Sequence, residues 1–169
     1  MNTFALLIEI KSYRLVKYYT VRFEDEQNNE FAKFVAIHKR DTNIATEFND
    51  IMAWIRDYLG CRYGALEKYF RHEKKAQALP PSARFLEITY EANLRLYCYR
   101  ISDHVVILFN GGVKTKTIDN AHDCPVVGTH FDMANLLCAA LDKAFISKEI
   151  QLNDDLTELI FEPDFRLEI

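Results

Sequence analysis

The run Leu94-Arg-Leu-Tyr-Cys-Tyr-Arg-Ile101 sets an arginine and two tyrosines at alternate positions. In an extended chain, successive side chains point to opposite sides. Arg95, Tyr97 and Tyr99 therefore share one face, and Leu94, Leu96 and Cys98 the other. Such a face is either a solvated outer surface or a platform where a cation meets a phosphate while a base stacks on a ring. Downstream, Lys114 and Lys116 lie two apart on an extended segment and point the same way. If residues 104–110 return along 94–101, Lys114 lies well beyond the partner of Leu94, past the sheet end. The hairpin then presents Arg95, Tyr97, Lys114 and Lys116 near a basic loop, 62–84. That loop carries Arg62, Lys68, Arg71, Lys74, Lys75 and Arg84, with Tyr63, Tyr69 and Phe70 interleaved.

Other reactive residue types are less organised. His122-Asp-Cys124, with His130 eight residues after His122, has the residue types of a metal site. Its spacing fits no common ligand pattern, so no metal is expected. A Cys–His nucleophile would need a third group that the sequence does not show. His104 and His122 are candidates for proton transfer, but neither sits on a motif. There is no P-loop, GxGxxG, GxSxG, HExxH or paired CxxC. Their absence argues against nucleotide hydrolysis, dinucleotide redox and zincin chemistry, and no cofactor is expected.

The elements that must position these residues follow from periodicity. Residues 4–10 and 18–24 read as strands. Residues 30–40 read as a helix with Phe31, Phe34, Val35 and His38 on one face. A second helix, 43–59, is started by Asp41-Thr-Asn43 and capped by Gly60. Pro80-Pro81 closes the basic loop. Strands follow at 85–90, 94–101 and 104–110, the last two joined by Ser102-Asp103. Gly111-Gly112 ends or bulges the third. A helix over 131–145 comes next. The tail, 147–169, holds short apolar pieces among acidic residues and is expected to pack on the body. The order is α+β rather than alternating βαβ.

At 169 residues and 19.8 kDa the chain suits one domain. The apolar fraction of 49% and charged fraction of 27% exclude a disordered or fibrous chain. Net charge is −4, but it is unevenly spread. Residues 1–61 carry −1, residues 62–116 carry +5 and residues 117–169 carry −8. The first ten residues do not read as a secretory signal, and no apolar run is long enough to span a membrane. Cys98 and Cys138 read as buried thiols in a reducing cytoplasm.

The run LRLYCYRISDHVVILFNGGVKTK resembles the central hairpin of RelE/ParE-type toxins, closest to the HigB-like, phage-protein-like branch. That branch has an Arg-bearing strand, a short turn, an apolar strand and then a Gly/Phe-Val-Lys segment. The stretch Glu67-Lys-Tyr-Phe-Arg-His-Glu73, followed by Ala78-Leu-Pro-Pro81, is similar to its basic linker. The resemblance covers residues 18–146. It implies a small antiparallel β-sheet with two N-terminal helices and one C-terminal helix packed on it. It also implies a metal-independent mRNA endoribonuclease, often acting on the ribosome and neutralised by an antitoxin. In that reading Arg95, Lys114 and Lys116 stabilise charge on the phosphate. Tyr97, Tyr99, Arg71, Lys74 and Lys75 bind the RNA. A non-catalytic relative that binds a protein or nucleic acid, and an unrelated α+β interaction domain, are the competing readings.

Overall fold

The structure, a computed structural model, describes residues 4–82, 93–114 and 127–169. Two antiparallel hairpins form its spine. β1 (Phe4–Ser12) pairs with β2 (Lys17–Phe23), and β5 (Leu94–Ser102) pairs with β6 (Val105–Val113). They join through β2 and β6, which run parallel, with Lys17 opposite Val105 and Thr20 opposite Leu108. A third hairpin, β3 (Arg71–Glu73) and β4 (Ala76–Leu79), lies beside β5. The tail strand β9 (Leu167–Glu168) pairs with β1. Among the described residues the main sheet thus has seven strands, in the order β3-β4-β5-β6-β2-β1-β9. A two-stranded sheet joins β7 (Gln151–Leu152) to β8 (Leu159–Ile160).

This corrects the expected small antiparallel sheet of RelE type. The sheet is larger and mixed, and helices cover both of its faces. α1 (Glu30–His38) and α2 (Ala45–Ala53) pack on one face, and α3 (Val127–Ile146) packs on the other. β6 shows why both faces need cover. Val105, Ile107 and Phe109 join the α3 core, while Val106 and Leu108 join the α1/α2 core. A strand apolar on both faces belongs in the middle of a covered sheet. Each large side chain so buried contributes roughly 1.5–3 kcal/mol.

The helices also depart from expectation at their ends. Asn29 starts α1 by accepting from the Ala32 N–H at 2.7 Å. The second helix does not stop at Gly60. From Trp54 to Tyr63 it continues as a π-helix, which Gly64 ends at φ 78°, its N–H donating to the Leu59 carbonyl. The β1–β2 turn supports this wider winding. The Tyr18 hydroxyl donates to the Ile55 carbonyl at 2.8 Å, and the Leu15 N–H donates to the Gly60 carbonyl at 2.7 Å. The Arg14 guanidinium donates to the Cys61 carbonyl. A carbon side chain at Gly60 would lie 2.7 Å from the Ile55 oxygen and 3.0 Å from Tyr13.

Within the basic loop, residues 71–79 form β3 and β4 rather than irregular chain. The strand expected over 85–90 lies outside the described residues. α3 begins at Val127, four residues earlier than its apolar period suggests. The β5–β6 turn is Asp103-His104, one residue later than expected, because Ser102 pairs with Val105. Cys98 and Cys138 are buried free thiols, and burial raises the pKa of both. No helix among the described residues is long and apolar enough to cross a membrane.

Candidate functional site

The register of β5 and β6 brings part of the expected site together. Arg95 lies opposite Gly112, and the Lys114 N–H donates to the Asn93 carbonyl at 2.8 Å. Opposed residues of an antiparallel pair share a face, so Arg95 and Lys114 lie diagonally on the side that α3 covers. Lys114 is one residue past the partner of Leu94, closer than the sequence suggests. Gly111 allows this close approach. A Cβ there would stand 1.8 Å from the Arg95 carbonyl oxygen.

A carboxylate that sequence reasoning missed completes the group. Glu73 ends β3 on the same face, opposite Ala76. Burial pushes its carboxyl above the ordinary value, and the charges of Arg95, Lys114 and Arg71 pull the other way. The charges of Arg95, Lys114 and Arg71 thus all bear on one half-buried acid. Arg71 also donates to the Pro80 carbonyl at 2.9 Å and to the Pro81 carbonyl at 3.3 Å, which ties β3 to the end of β4. Alternation in Arg71-His-Glu73 was the available signal, but three residues are too few to show a period.

The remaining expected residues have other surroundings. Tyr97 is 0% exposed, its ring edge-on to Phe131 of α3 at 5.9 Å. It belongs to the core and has no open face on which a base could stack. Tyr99 is partly buried, and its hydroxyl donates to Asp142. Burial, reinforced by Asp142, raises its pKa. Lys74 and Lys75 form the β3–β4 turn, where Lys74 adopts φ 63°. The Lys74 ammonium stands 5.5 Å over the Phe131 ring, and Lys75 bridges to Asp142 at 3.2 Å. The N–H groups of Lys75 and Ala76 donate to the Asn135 side chain at 2.9 and 3.0 Å. Lys116, His122 and Cys124 lie outside the described residues. Among the described residues no cluster of His, Cys, Asp and Glu has the makings of a metal site. His104, in the β5–β6 turn, faces the Leu15 carbonyl at 2.8 Å.

A second polar group lies where β2 and β6 part company. Their pairing stops at Thr20 and Leu108, and the Thr20 hydroxyl donates to the Leu108 carbonyl at 2.7 Å. Glu30 and His38 are buried on the stripe of α1 that contains Phe34. His130 of α3 carries charge interactions with Glu30, Lys33 and His38. Burial pushes both imidazoles below their ordinary pKa. Burial also works against the Lys33 ammonium, but hydrogen bonds to Glu26 and Glu30 outweigh it and raise its pKa.

Together these elements define a mixed α+β domain with a cation–carboxylate group on its β3–β5 side. Comparison with family models, curated proteins and solved structures returned no match.

Proposed function

We propose that the β3–β5 side of the sheet cleaves RNA phosphodiesters without a metal, with Glu73 as general base and Arg95, Lys114 and Arg71 as the phosphate-binding cations. The observation that supports this reading is the half-buried Glu73 carboxyl, pushed above its ordinary pKa in the midst of those three charges. A base works best when its pKa lies near the working pH, and burial moves Glu73 in that direction. In the reaction Glu73 takes the proton of a 2′-hydroxyl. The 2′-oxygen forms a bond to phosphorus, and the bond from phosphorus to the 5′-oxygen breaks. The cations stabilise the charge that gathers on the phosphate oxygens. The leaving oxygen takes a proton from solvent, and Glu73 returns its own proton to solvent. A 2′,3′-cyclic phosphate and a 5′-hydroxyl remain.

In the cell this is the chemistry of a toxin-like protein acting on mRNA in the cytoplasm and held in check by an antitoxin. That part of the proposal rests on the hairpin residues 94–116. The near-complete burial of Arg95, which is 4% exposed, favours a second reading. In it the group binds an anionic partner without cleaving it.

End-labelled single-stranded RNA incubated with the protein in chelator separates the two. Cleavage to cyclic-phosphate ends, reduced about 100- to 10,000-fold by Glu73→Gln, is expected. Binding without cleavage supports the second reading. Induced expression is expected to arrest growth, and Glu73→Gln to relieve the arrest.

A further inference from the structure

The π-helix Trp54–Tyr63 places aromatic rings that no α-helix would align. Tyr63 lies nine positions after Trp54. In an α-helix that is about two and a half turns, which sets them on opposite sides. Closure by i→i+5 bonds widens each turn beyond four residues, and positions 54, 58 and 63 return to one side. The rings confirm it. Trp54 and Tyr58 have centroids 4.7 Å apart, and Tyr58 and Tyr63 stack at 6.3 Å with planes 9° apart. Tyr69, from the segment before β3, completes the set. It stacks on Tyr63 at 5.3 Å and lies 5.5 Å from Trp54.

Cations lie over two of these rings, one on each side of Tyr63. The Arg62 guanidinium stands 5.4 Å over the Tyr58 ring, and the Lys68 ammonium 5.2 Å over the Tyr69 ring. Trp54 is buried and anchors the ladder to the α1/α2 core. Tyr63 is 47% exposed, the one aromatic among the exposed large hydrophobic side chains described. Arg62 and Lys68 are exposed as well.

We propose that this ladder is a stacking track for single-stranded RNA, a step that rests on the preceding reading for its choice of RNA. Bases stack on Tyr63 and the accessible parts of Tyr58 and Tyr69, while Arg62 and Lys68 hold the phosphates. An acidic protein would use the cations but has no need of a stacked, partly exposed ring. Duplex RNA hides its base faces and cannot use them. Tyr69 lies two residues before Arg71 and four before Glu73. The ladder packs against the α1/α2 core, on the other face of the sheet from the cation–carboxylate group, so a strand on the track must round the β3 edge to reach that group.

The test measures fluorescence anisotropy of a labelled 2′-O-methyl oligouridine, which lacks the 2′-hydroxyl and cannot be cleaved. Binding is expected to weaken about 5- to 150-fold in Tyr63→Ala. Tyr63→Phe, which keeps the ring, should restore most of the affinity. Arg62→Ala and Lys68→Ala should each lower the slope of log affinity against log salt by about 0.7. Circular dichroism confirms that each variant folds. Three results would overturn the track: wild-type affinity in Tyr63→Ala, equal affinity for duplex RNA, or displacement of the oligouridine by polyglutamate at similar concentration. The outcome is independent of catalysis, because the oligouridine has no 2′-hydroxyl to react. Loss of cleavage with binding intact would implicate Glu73 alone. Cleavage that survives in Tyr63→Ala with unchanged affinity would sink the track and leave the Glu73 reading standing.

Discussion

At one edge of the main sheet lie β3 and β4, from the segment of net charge +5; at the other lies β9, from the segment of net charge −8. The two edges use charge differently. On the side of the tail, ion pairs join it to the first hairpin and the residue after it. Lys17 bridges to Glu158 at 2.8 Å, and Arg166 hydrogen-bonds Glu24 at 2.7 Å while its guanidinium covers Phe4. The tail is held by apolar contacts as much as by charge, with Phe161 edge-on to Tyr19 and Leu167 buried. On the β3 side, three cations act on one half-buried carboxyl. The strand of the acidic tail therefore lies at the far edge of the sheet from the basic strands. Charge that is paired at the surface closes an edge, whereas charge gathered around a half-buried acid can act on an anion.

The contrast can be broken most sharply at Tyr97. Tyr97→Ala should cost about 3–5 kcal/mol in denaturant unfolding, as for other large buried rings. A fully stable Tyr97→Ala that lost RNA binding would return this residue to the functional face. Leu167→Ala on the opposite edge should cost about 2 kcal/mol, at the low end because the strand is short and marginal. It should leave RNA cleavage per folded molecule unchanged, and a matching loss of cleavage would mean that the two edges are coupled.

A smaller effect is expected from pH. His38 and His130 bind protons less readily in the folded state than in the unfolded one. Their contribution to stability is complete above the unfolded value of about 6.5 and is lost as the pH falls through it. The groups facing them are Glu30, Lys33 and Asp41, and the two imidazoles also bear on each other. Thermal unfolding from about pH 7.5 to about pH 6 should show a falling midpoint, with a shallower fall in His130→Gln. A midpoint that rises on acidification would contradict the buried-imidazole account. The smallest effect belongs to the surface. A double-mutant cycle on Lys17 and Glu158 should give a coupling of about 0.2–1 kcal/mol that shrinks in salt.

Periodicity alone located β1, β2, β5, β6 and the body of all three helices, because each buries a face wide enough to repeat. Local chemistry likewise indicated the Asn110-Gly-Gly region as special, where Gly111 meets the Arg95 backbone. The alternation of Arg95, Tyr97 and Tyr99 was legible too, but not what covers it. Only the packing of α3 turned that face into core. Only tertiary structure set β2 parallel to β6, since the register between strands 88 residues apart depends on the helices packed on each face. The π-helix was equally hidden. Its i→i+5 winding is held by donors from Arg14, Leu15 and Tyr18, residues some 40 positions away. Glu73 came under the charges of Arg95 and Lys114 only when β3 folded beside β4. The sequence by itself determined which residues could carry charge and which could stack. The tertiary structure decided which of them meet, because burial and proximity are properties of the assembled chain.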